Sequence, residues 1–225
     1  MPGIVVIAQL TTAGGEARQS VIDALSKVSA FSRDHEPGVV RYAIAVPRDA
    51  TDEAAVWVVE EYTSQAAFDQ HMGSKPVTDL IAYFTANPAL FAGETKVAMT
   101  EPSSTFTRPE ISNTEDPHFV YAAIDYKEGE RDEALEGWKT VTSETQKNEP
   151  ETLSYSILKD KGNSVTINTL EVYASEAYFK QVHVPSNAVK ENRQKYGDEI
   201  RTSMKWAILK KVAGYLYKEK PSSNL

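Results

Sequence analysis

The feature that most constrains this chain is an internal duplication. Glu36-Pro37, four residues and Tyr42 return as Glu149-Pro150, four residues and Tyr155, at an offset of 113. Glu60-x-Tyr62-x-Ser64-x-Ala66-x-Phe68-x-Gln70 returns as Glu171-x-Tyr173-x-Ser175-x-Ala177-x-Phe179-x-Gln181 at an offset of 111. His71-x-x-Ser74-x-x-Val77 then returns as His183-x-x-Ser186-x-x-Val189 at 112. Ordered matches whose offset drifts by a residue or two are what tandem duplication with short insertions leaves behind. The fold problem is therefore that of one module of roughly 110 residues, long enough to bury a core, met twice.

Each copy reads alike. Ile4 to Leu10 and its counterpart Phe119 to Asp125 are apolar, partly β-branched runs that suit a strand. Val21, Ala24, Leu25, Val28 and Phe31 then follow at helical spacing, as do Ala134, Trp138, Val141 and Thr145. Val40 to Val46 and Val56 to Tyr62 alternate as the strands of a hairpin. Ser64 and Ser175 stand where an N-cap belongs, so a second helix is predicted after each, interrupted in the first copy at Pro76. Lys96 to Met99 and Lys205 to Leu209 close the modules as strands. The order βαββαβ, twice, is the ferredoxin-like arrangement of an α+β fold.

Residues 101–117 contain three prolines, several Ser and Thr and few apolar residues, which predicts a linker between a module at 1–100 and another at 118–225. A sheet with helices on one face only needs its other face covered. The second copy would supply that cover, the two sheets packing face to face as an intramolecular pseudo-dimer. Val212 to Lys218 is apolar and aromatic and reads as a C-terminal extension reaching across to the other module.

Composition excludes several function classes. With 24 basic and 32 acidic residues the net charge is −8, which disfavours nucleic acid and anionic membranes as partners. Cysteine is absent, so disulfides, thiolate nucleophiles and sulfur-ligated metals are excluded. The four histidines show no metal-binding spacing, and Gly14-Gly15 lacks the context of a phosphate loop, so no metal or nucleotide cofactor is expected. No secretory leader is legible at the N-terminus, and the expected location is cytoplasmic.

Glu36-Pro37-Gly38, then Glu60 and Tyr62, then Ser64, Ala67, Phe68 and His71 form a pattern that resembles the antibiotic-biosynthesis-monooxygenase family of dimeric α+β-barrel proteins. The resemblance covers most of residues 1–100 and, more weakly, 118–210. It implies oxygen chemistry without metal or flavin, O₂ being the co-substrate, on a phenolic, polyketide-like or oxylipin-like small molecule. Relatives also include haem-degrading enzymes and non-catalytic small-molecule binders. Haem binding and a stress-related binding module are the alternatives, and a further homodimer is left open.

Helical spacing puts His71 on the face of Phe68, as a base or orienting group for such a substrate. Period-2 alternation puts Glu60 and Tyr62 together on one strand face, so His71, Glu60 and Tyr62 are the catalytic candidates. A carboxylate there needs a partner, which could be His71, another polar group or solvent. Tyr42 and Phe68 join them as substrate-binding candidates, with Tyr155, Glu171, Tyr173 and His183 as the second-copy set and Trp138 and Asn168 as additional groups. Arg41 and Trp57 alternate to the opposite face and are expected at the sheet–sheet contact. The second copy departs from the pattern twice: Glu151 replaces the glycine, and His183 falls ten residues after Tyr173 where His71 falls nine after Tyr62. One residue turns a helix by about 100°, so unless a bulge or kink absorbs it His183 would miss the place of His71. The first module is the expected seat of an intact site.

Overall fold

The computed structural model describes residues 3–197 and 199–218 of the 225-residue chain. It divides into two compact units, one joining Met1–Met99 to Lys211–Leu225, the other Thr100–Lys210. In chain order the first contributes β1 (Ile4–Thr11), α1 (Gly15–His35), β2 (Val39–Pro47), β3 (Ala55–Tyr62), α2 (Gln65–Met72), α3 (Lys75–Ala86) and the start of β4 (Lys96–Thr107). The second holds the rest of β4, then β5 (His118–Tyr126), α4 (Arg131–Asn148), β6 (Thr152–Asp160), β7 (Thr166–Tyr173), α5 (Glu176–Tyr178), α6 (Asn187–Tyr196) and most of β8 (Arg201–Tyr215). The strand order is β4–β1–β3–β2–β8 in the first unit and β8–β5–β7–β6–β4 in the second. Each is a ferredoxin-like βαββαβ module with one strand added beside β2 or β6.

Helical periodicity explains how α1 and α4 seat. Val21, Leu25, Val28 and Ser32 form the buried stripe of α1, and Ala134, Trp138, Val141 and Thr145 that of α4. These stripes pack on Ile44, Val56, Val58 and Tyr62 in one core, and on Ile124, Tyr155, Ile157 and Tyr173 in the other. The predicted caps form: Ser64 Oγ accepts from Ala67 N at 3.2 Å and Ser175 Oγ from Tyr178 N at 3.1 Å. The interruption at Pro76 is also found, since α2 stops before Gly73 and α3 begins anew with the proline in its first turn.

The expected linker is not one. Residues up to Thr107 continue β4 and pair antiparallel with β6, from Thr100 opposite Asp160 to Thr107 opposite Ser154, and Pro109–Asn113 is a 3-10 turn. The Ser and Thr content serves this pairing: Thr105 Oγ1 lies 2.8 Å from Ser156 Oγ and Thr107 Oγ1 3.1 Å from Ser154 Oγ. Pro102 is accommodated because the register shifts between it and Ser104. The C-terminal boundary moves as well. Lys205 to Leu209 and the segment from Val212 are one strand, β8, and from residue 211 the chain belongs to the first unit. There Gly214, at φ +75°, permits the approach to β2, since a Cβ would lie 2.0 Å from the Tyr42 carbonyl oxygen.

The additional residue before His183 has a local structural answer. After one turn of α5, Phe179–His183 forms a π-helical turn, which holds one residue more than an α-turn. The need for it is steric. In the first module α2 lies so close to the β2 turn that a Cβ on Gly38 would sit 2.5 Å from the Ala67 Cβ. The second module has Glu151 and Tyr178 at those two places, so α5 cannot take the same path. The turn hydrogen bond survives in both, from Thr63 N to Gly38 O and from Ala174 N to Glu151 O, each 2.9 Å.

Candidate active site

The site begins where the stripe of the first helix ends. One helical step beyond Ser32 and Thr145, on the buried face, stand Glu36 and Glu149, the residues that terminate α1 and α4. Both are only 4% exposed, and a buried carboxylate must find donors. His71 Nδ1 lies 2.7 Å from Glu36 Oε2, and Ser32 Oγ donates to the same oxygen at 2.6 Å. In the second unit His183 Nδ1 lies 2.8 Å from Glu149 Oε2, which also accepts from Thr152 Oγ1 at 3.0 Å. A carboxylate only accepts, so Nδ1 carries the hydrogen in each ring and Nε2 is left as the acceptor. Burial opposes the Glu149 charge, but the bonds from His183, Thr152 and Thr145 prevail and hold its carboxyl below the ordinary range.

The sheet supplies the other wall. A bulge in β2 between Val39 and Arg41, repeated in β6 between Thr152 and Ser154, sets Tyr42 opposite Glu60 and Tyr155 opposite Glu171. Tyr62 donates to Glu60 Oε2, and Tyr173 donates to Glu171 Oε2 at 2.7 Å. The imidazole of His71 packs between the rings of Tyr42 and Tyr62, at 5.8 and 5.4 Å between centroids, and that of His183 between Tyr155 and Tyr173, at 5.2 and 5.0 Å. Burial, then the adjacent carboxylate, raises the pKa of all four phenols, so they remain donors near neutrality. Burial likewise raises the Glu60 carboxyl, against the hydrogen bond from Tyr62 and the electrostatic pull of the nearby His71 ring.

The structure thus gathers His71, Glu60, Tyr62, Tyr42 and Phe68 at one place, with Phe68 edge-on to Tyr62 at 5.2 Å. It gathers His183, Glu171, Tyr173 and Tyr155 at the corresponding place of the second unit. The first module is not alone in keeping this geometry: the π-turn is the bulge that absorbs the additional residue, and it returns His183 to its carboxylate. What differs is Phe179, which lies nearly parallel to His183, with 6.2 Å between centroids and 19° between planes. Glu60 does not pair with His71 by a hydrogen bond. The partners are Glu36 and Glu149, which entered the sequence reading as landmarks of the repeat and, for Glu36, of the family pattern, but not as site residues; the signal was their place one helical step past a buried stripe, in both copies. Trp138 donates to Tyr126 at 2.8 Å, and Asn168 bonds Tyr121 and Asp160, so neither joins the site. Arg41 is buried beside Glu61 at 3.5 Å. Among the described residues no three His, Asp or Glu side chains converge as a metal site, and no helix is long and apolar enough to cross a membrane.

The sequence model of the family described as antibiotic biosynthesis monooxygenase matches residues 3–83 and 117–195, one segment in each unit. The chain belongs to this family. Among solved structures, a proposed monooxygenase from Lactobacillus acidophilus aligns with a TM-score of 0.77 at 17% identity, over 97% of this chain and 100% of that one. A second proposed monooxygenase, from Fusobacterium nucleatum, gives 0.79 at 22% identity over 97% and 98%. An anthrone oxidase-like protein gives 0.65 at 13% identity over 100% and 98%. At these identities the likeness establishes a shared fold. No curated protein matches the sequence. The matched segments include His71, His183 and both Glu-x-Tyr strands.

Proposed function

We propose that the chain is a monooxygenase that oxidises a small phenolic or enolic molecule with O₂ and no dedicated cofactor, at the imidazoles of both modules. One observation supports this reading above others: the same carboxylate–imidazole pair between two protonated tyrosines occurs twice, and the second copy adopts a π-turn that retains it. Such turns are frequent at functional sites.

Without a cofactor, the substrate itself is the electron donor. Nε2 of His71 or His183 takes a proton from the phenol, enol or activated methylene, while Glu36 or Glu149 stabilises the imidazolium. The electron-rich anion passes an electron to O₂ and the radical pair joins as a C–O bond, giving a peroxide that the imidazolium protonates. For a methylene the second C–H proton then leaves, the O–O bond breaks, and hydroxide departs with a proton as water. The sum is CH₂ + O₂ → C=O + H₂O, with carbon oxidised by four electrons and O₂ reduced by four. Tyr62 and Tyr173, whose hydrogens are donated to Glu60 and Glu171, stay neutral, and the imidazolium stabilises the anion. The anthrone oxidase-like structure suggests fused phenolic ketones as the first compounds to try.

The test is oxygen uptake with a hydroxyanthrone or hydroquinone by protein dialysed against chelator. Either His71→Ala or His183→Ala alone should lower turnover. Together they should lower it by about 10²–10⁴-fold, the usual contribution of a positioned base. Full activity in the double variant removes the imidazoles from the reaction, and activity lost to the chelator removes cofactor independence.

A further inference from the structure

The Glu36 carboxylate is less well satisfied than its twin. Glu149 accepts from His183, Thr152 and Thr145, whereas Glu36 has Val39 where the second module has Thr152, and its buried Oε1 has no hydrogen-bond partner. Leaving a buried charge under-bonded costs free energy and lets the side chain wander. The compensating charge comes from the other end of the chain. Lys218 Nζ donates to the Ser32 and Glu36 carbonyl oxygens at 3.0 and 3.1 Å, at the negative end of the α1 dipole. Ser32 is also the residue whose hydroxyl holds Glu36 Oε2 and stands 3.3 Å from His71 Nδ1.

The segment bearing Lys218 is anchored for this purpose. Tyr215 donates to the Val39 carbonyl at 3.1 Å, Arg33 stacks over the Tyr215 ring at 5.0 Å, and Arg33 also donates to Gly214 O at 3.2 Å. The second module also has a cation near the end of its first helix, on neighbouring carbonyls. Arg108, just after β4, donates to Thr152 O at 3.0 Å and to Gln146 O at 2.6 Å near the end of α4. The extensions of the two closing strands thus each deliver a cation near the C-terminal end of their module's first helix.

We propose that Lys218 is a positioning residue for the first site: it fixes the Ser32–Glu36 turn and thereby the orientation of the His71 ring. The proposal rests on the reading of His71 as the base. It predicts a site that is complete only when residues 211–218 are docked.

The experiment uses the full chain and reads the His71 ring directly by ¹⁵N and Nδ1-proton NMR. Lys218→Met is expected to speed exchange of the His71 Nδ1 proton by about tenfold or more and to leave His183 unmoved. Gly214→Val, which displaces the segment without touching the lysine, should do the same, and Lys218→Arg should restore the wild-type ring signals. In a His183→Ala background, Lys218→Met should lower kcat for oxygen uptake by about tenfold with KM little changed. An unchanged His71 ring in Lys218→Met overturns the positioning role whatever happens to turnover. A loosened ring with full turnover supports the positioning role and instead refutes His71 as the base.

Discussion

Adding one methyl group at Gly38 tests the steric account of why the modules differ. In Gly38→Ala the new Cβ would sit 2.5 Å from the Ala67 Cβ, and ordinary contact begins at 3.4 Å, so α2 must retreat by nearly an ångström. Ala67 has no rotatable side chain that could absorb the move. Carried through α2 to His71, the same displacement would stretch the 2.7 Å bond to Glu36 to about 3.6 Å, beyond hydrogen-bonding range. Overpacking of this kind costs about 1–3 kcal/mol, and a buried bond to a charged group contributes about 1.5–3 kcal/mol. Partial relaxation leaves an expected loss of about 2–4 kcal/mol, read from urea denaturation. Ala67→Gly in the same chain reopens the space at a helix-propensity cost of about 1 kcal/mol, so the double variant should recover most of the loss. If Gly38→Ala stays within about 0.5 kcal/mol of wild type, or if Ala67→Gly fails to rescue it, the contact does not set the helix path.

The two titrating carboxylates should respond oppositely to pH. Glu149 is held below 4.5 in the fold, so its contribution is present above the unfolded value and lost as pH falls through the folded one; Glu149→Gln should destabilise most near neutrality and least in acid. Glu60 is raised above 4.5, so its contribution is present below the unfolded value and lost as pH rises through the folded one. Glu60→Gln should therefore gain on wild type as pH rises from the ordinary carboxylate range toward neutrality, with urea midpoints across that rise as the check. Inserting one alanine after Val182 exceeds what the π-turn absorbs, so it should turn His183 by about 100° off Glu149 and cost about 2–3 kcal/mol. Val182→Ala at the same position, whose side chain is 39% exposed, should stay within about 0.5 kcal/mol; calorimetry separates the two.

Local signals carried most of the fold. The strands, the Ser64 and Ser175 caps and the break at Pro76 depend on residues a few positions apart, and all were legible. The linker reading failed because Ser and Thr look alike in a solvated loop and in a strand whose hydroxyls pair across to β6; the difference lies in Ser154 and Ser156, far along the chain. Glu36 and His71 are likewise 35 residues apart, and nothing near either says which side chain the other will meet. The π-turn could be anticipated only as one way of absorbing an additional residue. Its cause, the approach of Ala67 to Gly38 and the larger pair Tyr178 and Glu151, is a distance between segments that no periodicity contains.

The unit boundaries set an order of assembly during synthesis. The second unit is one continuous stretch, Thr100–Lys210, and has all its strands once β8 is largely made. The first unit, although translated earlier, lacks the strand beside β2 and the cation beneath Glu36 until residues 211–218 have been synthesised. The half of the chain made first is therefore finished last, and until then the β2 edge and the Ser32 and Glu36 carbonyls are without the partners that the finished chain gives them. A chain cut after Lys210 would hold every residue of the second unit and lack the segment that completes the first, so chain elongation itself separates the two centres in time.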